Sequence, residues 1–346
     1  LGRGTAWITN WGAEGGAGNF SQDDATDGLI VDGLEYHYDG GWYAAVNDDD
    51  HWAFEGCSVG AYPRRGGEWG PSEPCGVAIV AGSFNDPFGA VAQNYEEVTS
   101  VMLDLSSTNG FFTPSIRQLG GLMLDVQKIG SADPAFGNFV LSKVVFTNEV
   151  GDPGDIVGTM DSVLFGVGTD WDVGSADNMY KFSSGYAVFD GGGDGSAATF
   201  AGGHARLVGD HHAVGAMGSG GAPTFMMGDI LNDQNHGDAA YHIMDDPQFW
   251  ADSIDVASTF DTDIGAYWTA ARFDALADGA SETLYMVHFG VHNDGVHEDW
   301  SDGAGFQAAV ANAVAKAKAY AGLGAGDVNC DGAIDLADVV LLGNIV

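Results

Sequence analysis

Basic residues are scarce in this chain, which carries 11 Lys and Arg against 49 Asp and Glu and has a formal net charge of −38. Nucleic acids and anionic membrane surfaces are polyanions, so electrostatic repulsion argues against both as partners. Apolar runs of about 18 residues, the length that a membrane-spanning helix needs, are also missing, and no membrane span is expected. The same charge favours divalent cations, or a salty medium that screens self-repulsion.

Cysteine occurs only three times in the sequence. Cys57 and Cys75 bracket a Gly- and Pro-rich segment that burial alone would hardly order. A disulfide between them would stabilise the fold by about 3 kcal/mol through chain entropy and would fit an oxidising compartment. Two unpaired thiols are the alternative. Cys330 is the odd cysteine, which in a secreted protein indicates an intermolecular bond or a free thiol.

The N-terminus lacks the pattern of a targeting segment. The sequence begins with Leu1 rather than Met, and no charged stretch precedes an apolar one. We expect either a secreted chain whose signal peptide has been removed or a trimmed chain, and we place the protein outside the cell or at the cell surface.

Glycine is abundant, with 54 residues, and Asp-Gly pairs punctuate the chain, among them those that begin at Asp32, Asp39 and Asp278. Both residues tolerate positive φ, so such pairs favour tight hairpin turns between short apolar or alternating runs. We predict an all-β or β-dominated body, a sandwich or jelly roll. The predicted strands are 29–38, 42–46, 77–81, 98–105, 122–126, 139–146, 162–167, 186–189, 264–272 and 283–291.

Helix signals are few. The spacing of Phe306, Val310, Val314, Ala317 and Tyr320 predicts a helix over 305–321, and a weaker pattern predicts one over 87–97. We therefore divide the chain into a β-rich body over 1–304, a helix and linker over 305–325, and a C-terminal segment over 326–346. An internal boundary of the body near 151–158 is an alternative to a single loop there.

Oxygen-bearing residues near the C-terminus follow the spacing of an EF-hand loop. If Asp327 is position 1, Asn329, Asp331, Asp335 and Asp338 are positions 3, 5, 9 and 12. Gly332 stands at the sharp turn, and position 7 offers a backbone carbonyl. Calcium binds six to eight such hard oxygens. The predicted calcium ligands are Asp327, Asn329, Asp331, Ala333, Asp335 and Asp338.

This segment resembles one repeat of a type I dockerin, in which Asp stands at position 12, as Asp338 does, and an apolar helix follows. The resemblance covers about 20 residues of the chain and implies either a cohesin-like protein partner or self-association. Dockerins normally have two repeats, whereas this chain contains one. The positions that select a partner in that family are Leu336 and Ala337 here, and they indicate no particular cohesin.

A catalytic site has weaker support in the sequence. His288 and His292 share strand parity and lie near Asp294, so these three residues are a candidate second metal site, although their spacing matches no known signature. Hydrogen-bonded surface or turn histidines are the alternative. Paired carboxylates for glycoside hydrolysis are conceivable in so acidic a chain, and the first candidates are Glu35, Glu55, Glu68 and Glu282.

The sequence therefore favours a secreted, calcium-binding protein with a non-catalytic role, as a component of a cell-surface layer, fibre or complex. The alternatives are a secreted hydrolase that acts on polysaccharide and a carbohydrate-binding protein, each with the dockerin-like segment as a docking tail. The first interpretation predicts calcium-dependent assembly, and the second predicts activity on a polysaccharide.

Overall fold

The structure is a computed structural model. It describes residues 4–6, 14–15, 29–32, 34–48, 51–58, 77–81, 97–104, 122–130, 137–148, 158–171, 173, 177–190, 198–218, 245, 264–293, 300 and 303–323. Within these residues the chain forms strands β1 to β16 and helix α1. In chain order the strands are Gly4–Ala6, Glu14–Gly15, Leu29–Val31, Leu34–Asp48, His51–Ser58, Val77–Ala81, Glu97–Asp104, Leu122–Gly130, Phe139–Asn148, Met160–Trp171, Asp177–Phe182, Gly185–Asp190, Phe200–Arg206, Ala213–Gly218, Ile264–Leu276 and Ser281–His292, and the helix is Gly303–Tyr320.

The strands form two sheets, and every pairing in both is antiparallel. Sheet A has the order β1-β3-β4-β10-β15-β14, and β2 and β5 also pair with β4. Sheet B has the order β11-β12-β13-β16-β9-β8-β7-β6. The prediction of a β-dominated body followed by a helix is confirmed.

Apolar side chains from both sheets meet in one core. Its members include Phe165 and Trp268 from sheet A and Phe146, Val188 and Met286 from sheet B, each 3% exposed or less. A sheet face that carries a row of such side chains is stabilised when it packs on a second one. The described parts of sheets A and B thus pack face to face as a sandwich.

The part of sheet B around β16 is buried on its other face as well, because α1 covers it. On β16, Leu284 and Met286 face sheet A, while Val287, Phe289 and Val291 join the cluster that contains α1. This double burial explains why β16 reads as a nearly continuous apolar run in its second half.

Helix α1 contributes one apolar face. Phe306, Val310, Ala313 and Ala317 are buried at the spacing of a 3.6-residue turn. The helix ends at a Schellman motif, in which Gly322 adopts a φ of +75° and the N–H of Leu323 donates to the carbonyl of Lys318 at 3.1 Å. No helix among the described residues is long and apolar enough to cross a membrane.

The Asp-Gly pairs have three different outcomes. Asp32 adopts a φ of +51° in the turn that joins Val31 to its partner Leu34, as expected for a hairpin. The turn at Asp278 joins strands of different sheets, β15 and β16, so the prediction of a hairpin there is wrong. The prediction of a turn at Asp39 is also wrong, because Asp39 lies inside β4 and pairs with Asp170 of β10. The pairing of these two strands outweighs the local preference for a turn.

The strand predictions need one further correction: 29–38 and 42–46 are divided differently, since the chain turns at Asp32 and β4 then runs through both segments. Other predictions fall outside the described residues: the calcium loop over 327–338, Cys75, the boundary near 151–158 except its last residue, and the helix over 87–97 except Glu97, which begins β7. Cys57 lies in β5 opposite Trp42.

Candidate functional site

Two groups of polar side chains emerge from the fold, one inside the sandwich and one on the outer face of sheet A. The interior group is built on strands β13 and β16 of sheet B. Small residues make room for it: a Cβ at Gly202 would collide with the ring of Trp171, and one at Gly290 would lie 3.0 Å from the ring of Tyr36. Both rings reach across from sheet A, so these glycines are required by close packing rather than by a turn.

His204 and His288 are directly opposite each other on β13 and β16. Their rings stack with centroids 4.3 Å apart and an interplanar angle of 28°. The residues are 3% and 4% exposed, so both imidazoles are sealed in the core. Trp268 from sheet A stacks on His204 at 5.6 Å, and Trp171 presents its ring to both histidines at 5.4 and 5.6 Å in edge geometry.

Tyr186 links this histidine pair to the indole of Trp171. Nε1 of Trp171 donates to the hydroxyl of Tyr186 at 3.2 Å, and that hydroxyl lies 3.0 Å from Nδ1 of His204. Burial raises the pKa of Tyr186 well above its ordinary value, and the bond from Trp171 offsets this only in part. The hydroxyl therefore stays protonated, and the direction of its hydrogen bond with Nδ1 depends on the tautomer of His204.

His292 has a different neighbour. It lies opposite Phe200, and its Nδ1 is 3.6 Å from the carboxylate of Asp32. An extended strand separates the Cα atoms of His288 and His292 by about 13 Å, although both face the same side of β16. The third predicted ligand, Asp294, lies outside the described residues, and the second metal site stays a prediction. Among the residues that the structure describes, no group of three or more His, Cys, Asp or Glu side chains is placed to hold a metal ion.

The second group lies where β10, β15 and β14 run side by side in sheet A. Arg272 of β15 points away from the core, because its neighbours Ala271 and Phe273 point into it. The guanidinium contacts Oδ1 of Asp245 through Nη1, the hydroxyl of Ser162 at 3.2 Å through Nη2, and the carboxylate of Asp274 at 3.1 Å through Nε.

His212 completes this outer group. Its Nε2 lies 2.8 Å from the same Oδ1 of Asp245, so Arg272 and His212 share one carboxylate oxygen. The side chains of His212, Asp245 and Arg272 are 26%, 26% and 31% exposed. We name the set His212, Asp245, Arg272 and Ser162 the outer polar cluster. Unlike the interior histidines, it is partly exposed to solvent.

The neighbouring His211 is half-buried, and burial, assisted by Lys181, lowers its pKa to about 4. This histidine is therefore neutral near pH 7. It stays uncharged until the pH falls to about 4, so it adds little positive charge to the edge of sheet A in mild acid.

The carboxylates considered for glycoside hydrolysis lie on different strands where the structure describes them. Glu35 and Glu55 lie on β4 and β5 of sheet A, whereas Glu282 is exposed on β16 of sheet B. Glu68 lies outside the described residues.

Sequence reasoning missed His204, Tyr186 and the outer polar cluster. His204 lies in the segment 200–206, which is rich in Gly and Ala and lacks the β-branched residues typical of a strand. The spacing of Gly202 and His204, two residues apart and thus on the same face of a strand, was the signal in the sequence that could have indicated this site. Asp245 and Arg272 are far apart in the sequence, and only the fold brings them together.

Comparison with known proteins adds little. No family model matches the chain, and none of the curated proteins matches it. Among solved structures, the crystal structure of the heparan sulfate lyase HepC from Pedobacter heparinus is similar, with a TM-score of 0.32 and 7% sequence identity over 76% of this chain. The matched region spans 30% of that lyase. A similarity this distant carries no functional argument.

Proposed function

We propose that the protein is a secreted, calcium-binding component of an extracellular assembly, such as a cell-surface layer, fibre or complex, and that its β-sandwich body is not catalytic. The observation that supports the non-catalytic part of this proposal is the burial of the histidine pair. His204 and His288 are 3% and 4% exposed and lie among Trp171, Tyr186 and Trp268, where no polymeric substrate reaches them. Their stacking and hydrogen bonding are those of a structural core.

The net charge of −38 gives calcium its role in this proposal. Copies of so acidic a chain repel one another, and bound divalent cations reduce that repulsion where two surfaces meet. The proposed calcium loop comprises Asp327, Asn329, Asp331, Ala333, Asp335 and Asp338. It supplies hard oxygens at EF-hand spacing. Self-association through this segment is the proposed mode of assembly, and a cohesin-like protein is the alternative partner.

The test combines calorimetry with size-exclusion chromatography and light scattering, in millimolar calcium and in chelator. Asp331→Ala should abolish calcium binding at the loop and with it the calcium-dependent rise in mass. Asp210→Ala, a change at an exposed residue outside the loop, is the control and should leave both unchanged. Unchanged calcium stoichiometry in Asp331→Ala would show that the loop is not the site. Calcium binding with neither a change in mass nor capture of a cohesin would disprove the assembly role.

Carbohydrate binding is the second candidate function, and the outer polar cluster favours it. Carboxylate, imidazole and hydroxyl groups that are fixed in place and open to solvent are suited to the hydroxyl groups of a sugar. Polysaccharide hydrolysis remains the enzymatic form of this alternative, to be tested with a panel of polysaccharides on the purified protein.

A further inference from the structure

We propose that the outer polar cluster is a binding site for a neutral saccharide, which it holds through adjacent hydroxyl groups at Asp245 and His212. This inference rests on the second candidate function and specifies its site and its class of ligand. It is independent of the calcium loop.

The outer polar cluster is both fixed in place and accessible to solvent. His212 is anchored to β15, since its backbone N–H donates to the carbonyl of Thr269 at 3.0 Å, and Arg272 and Ser162 lie on paired strands. Asp245 is held by contacts with His212 and Arg272. Side chains that are held this firmly lose little conformational entropy when a ligand binds, yet about a quarter of each of His212 and Asp245 remains open to solvent.

The hydrogen-bonding atoms of the cluster suit the hydroxyl groups of a sugar. An ionised Asp245 only accepts, so Nε2 of His212 carries the proton of this hydrogen bond, and Nδ1 is an acceptor when it carries no second proton. A carboxylate accepts at two oxygens with about four lone-pair sites, and both Arg272 and His212 use Oδ1 of Asp245. Oδ2 and Nδ1 are therefore acceptors to which neighbouring hydroxyl groups of a sugar donate.

The charge around the cluster favours an uncharged ligand. The positive charge of Arg272 is offset by Asp245 and by Asp274, which is 90% exposed, and the chain as a whole is strongly acidic. An anionic ligand meets repulsion both at long range and at the site, whereas a neutral sugar does not. This selects neutral saccharides over uronates or sulfated sugars.

The backbone beside the cluster is strained at Ser162. Ser162 adopts a φ of +50°, and its hydroxyl accepts from Nη2 of Arg272. For a residue other than glycine this conformation costs roughly 1–2 kcal/mol, and such strain concentrates at functional sites. Here it aligns Ser162 with the guanidinium that fixes Asp245, so Ser162 and Arg272 are positioning residues.

Saturation-transfer NMR and calorimetry on the full chain test the proposal, with cellohexaose and maltohexaose as neutral probes and hexagalacturonate as the anionic probe. We expect at least one neutral probe to bind and the anionic probe to bind at least tenfold more weakly. Asp245→Asn and His212→Phe should each weaken binding of the neutral probe at least tenfold. Lys143→Gln, which changes a basic residue on β9 of sheet B outside the cluster, is the control and should leave affinity unchanged.

The possible results of these experiments distinguish an error in the proposed site from an error in the proposed carbohydrate-binding function. If a neutral probe binds wild type, Asp245→Asn and His212→Phe with equal affinity, the site is wrong although carbohydrate binding stands. If none of the probes binds, the proposed site and its ligand class are overturned together, and calcium-dependent assembly is unaffected. Preference for hexagalacturonate would overturn the ligand class. Melting temperatures are measured for every variant, because a purely structural cluster would lower stability without changing the affinity of the folded fraction.

Discussion

Replacing Tyr186 with Phe tests whether the interior polar network stabilises the sandwich. The substitution keeps the ring, which packs edge-on against Trp171 at 5.8 Å, and removes only the hydroxyl. Two buried contacts are lost, the bond from Nε1 of Trp171 at 3.2 Å and the bond to Nδ1 of His204 at 3.0 Å. At about 1 kcal/mol for each neutral bond, plus part of the cost of desolvated partners, the free energy of unfolding should fall by about 2–3 kcal/mol.

Urea unfolding followed by tryptophan fluorescence measures this change, because Trp171 is part of the network. The midpoint should fall while the m-value stays constant, since the surface that unfolding exposes is nearly the same. Tyr180→Phe is the control: this ring is only partly buried, against Phe306 and Phe182, and little change is expected. A loss below about 0.5 kcal/mol in Tyr186→Phe, or one equal to that of the control, would refute the network.

Three other predictions follow from the described contacts. Asn148→Ala should destabilise the protein by about 2 kcal/mol in urea, because the Asn148 amide donates to the carbonyls of Gly158 and Leu276 at 2.7 and 2.9 Å. Gly202→Ala should cost about 1–3 kcal/mol, since its Cβ would collide with Trp171, and an unchanged melting temperature would contradict that packing. Burial lowers the pKa of His211 from 6.5 to about 4, so between pH 4 and pH 6.5 the folded state binds fewer protons than the unfolded state. The free energy of unfolding should therefore be highest above pH 6.5 and decline as the pH falls towards 4. His211→Gln should reduce this dependence of stability on pH.

The sequence alone predicts the parts of the fold whose signals are local. Strand β16 follows the Asp278 turn as an apolar run of strand length, and α1 carries one apolar face and ends just before Gly322, so each can be predicted from its own segment. The burial of sheet B on both faces around β16 could not be predicted from the sequence. An apolar run like the one in β16 indicates burial but does not indicate which element packs on the strand.

Local preference fails where tertiary pairing is stronger. Asp39 is followed by Gly, a pair that favours a turn, yet Asp39 pairs with both Asp170 and Gly15 inside sheet A. Each neighbouring strand adds backbone hydrogen bonds that a turn would forgo, and the long strand β4 results. Strands of mostly small residues, such as β14, are not predicted because few of their side chains are of the types that favour a strand.

The two polar groups could not be assembled from the sequence, because both depend on strand register. His204 meets His288 only because β13 and β16 pair in one register; a shift by one residue would turn every side chain of β13 to the opposite face. The same pairing places Gly202 opposite Gly290, where Trp171 and Tyr36 need space. The glycines and the histidines are thus parts of one arrangement, in which residues without side chains admit the large rings that enclose the imidazoles. This enclosure makes the interior histidines structural, and it leaves the solvent-exposed outer polar cluster as the place in the described structure where recognition is to be tested.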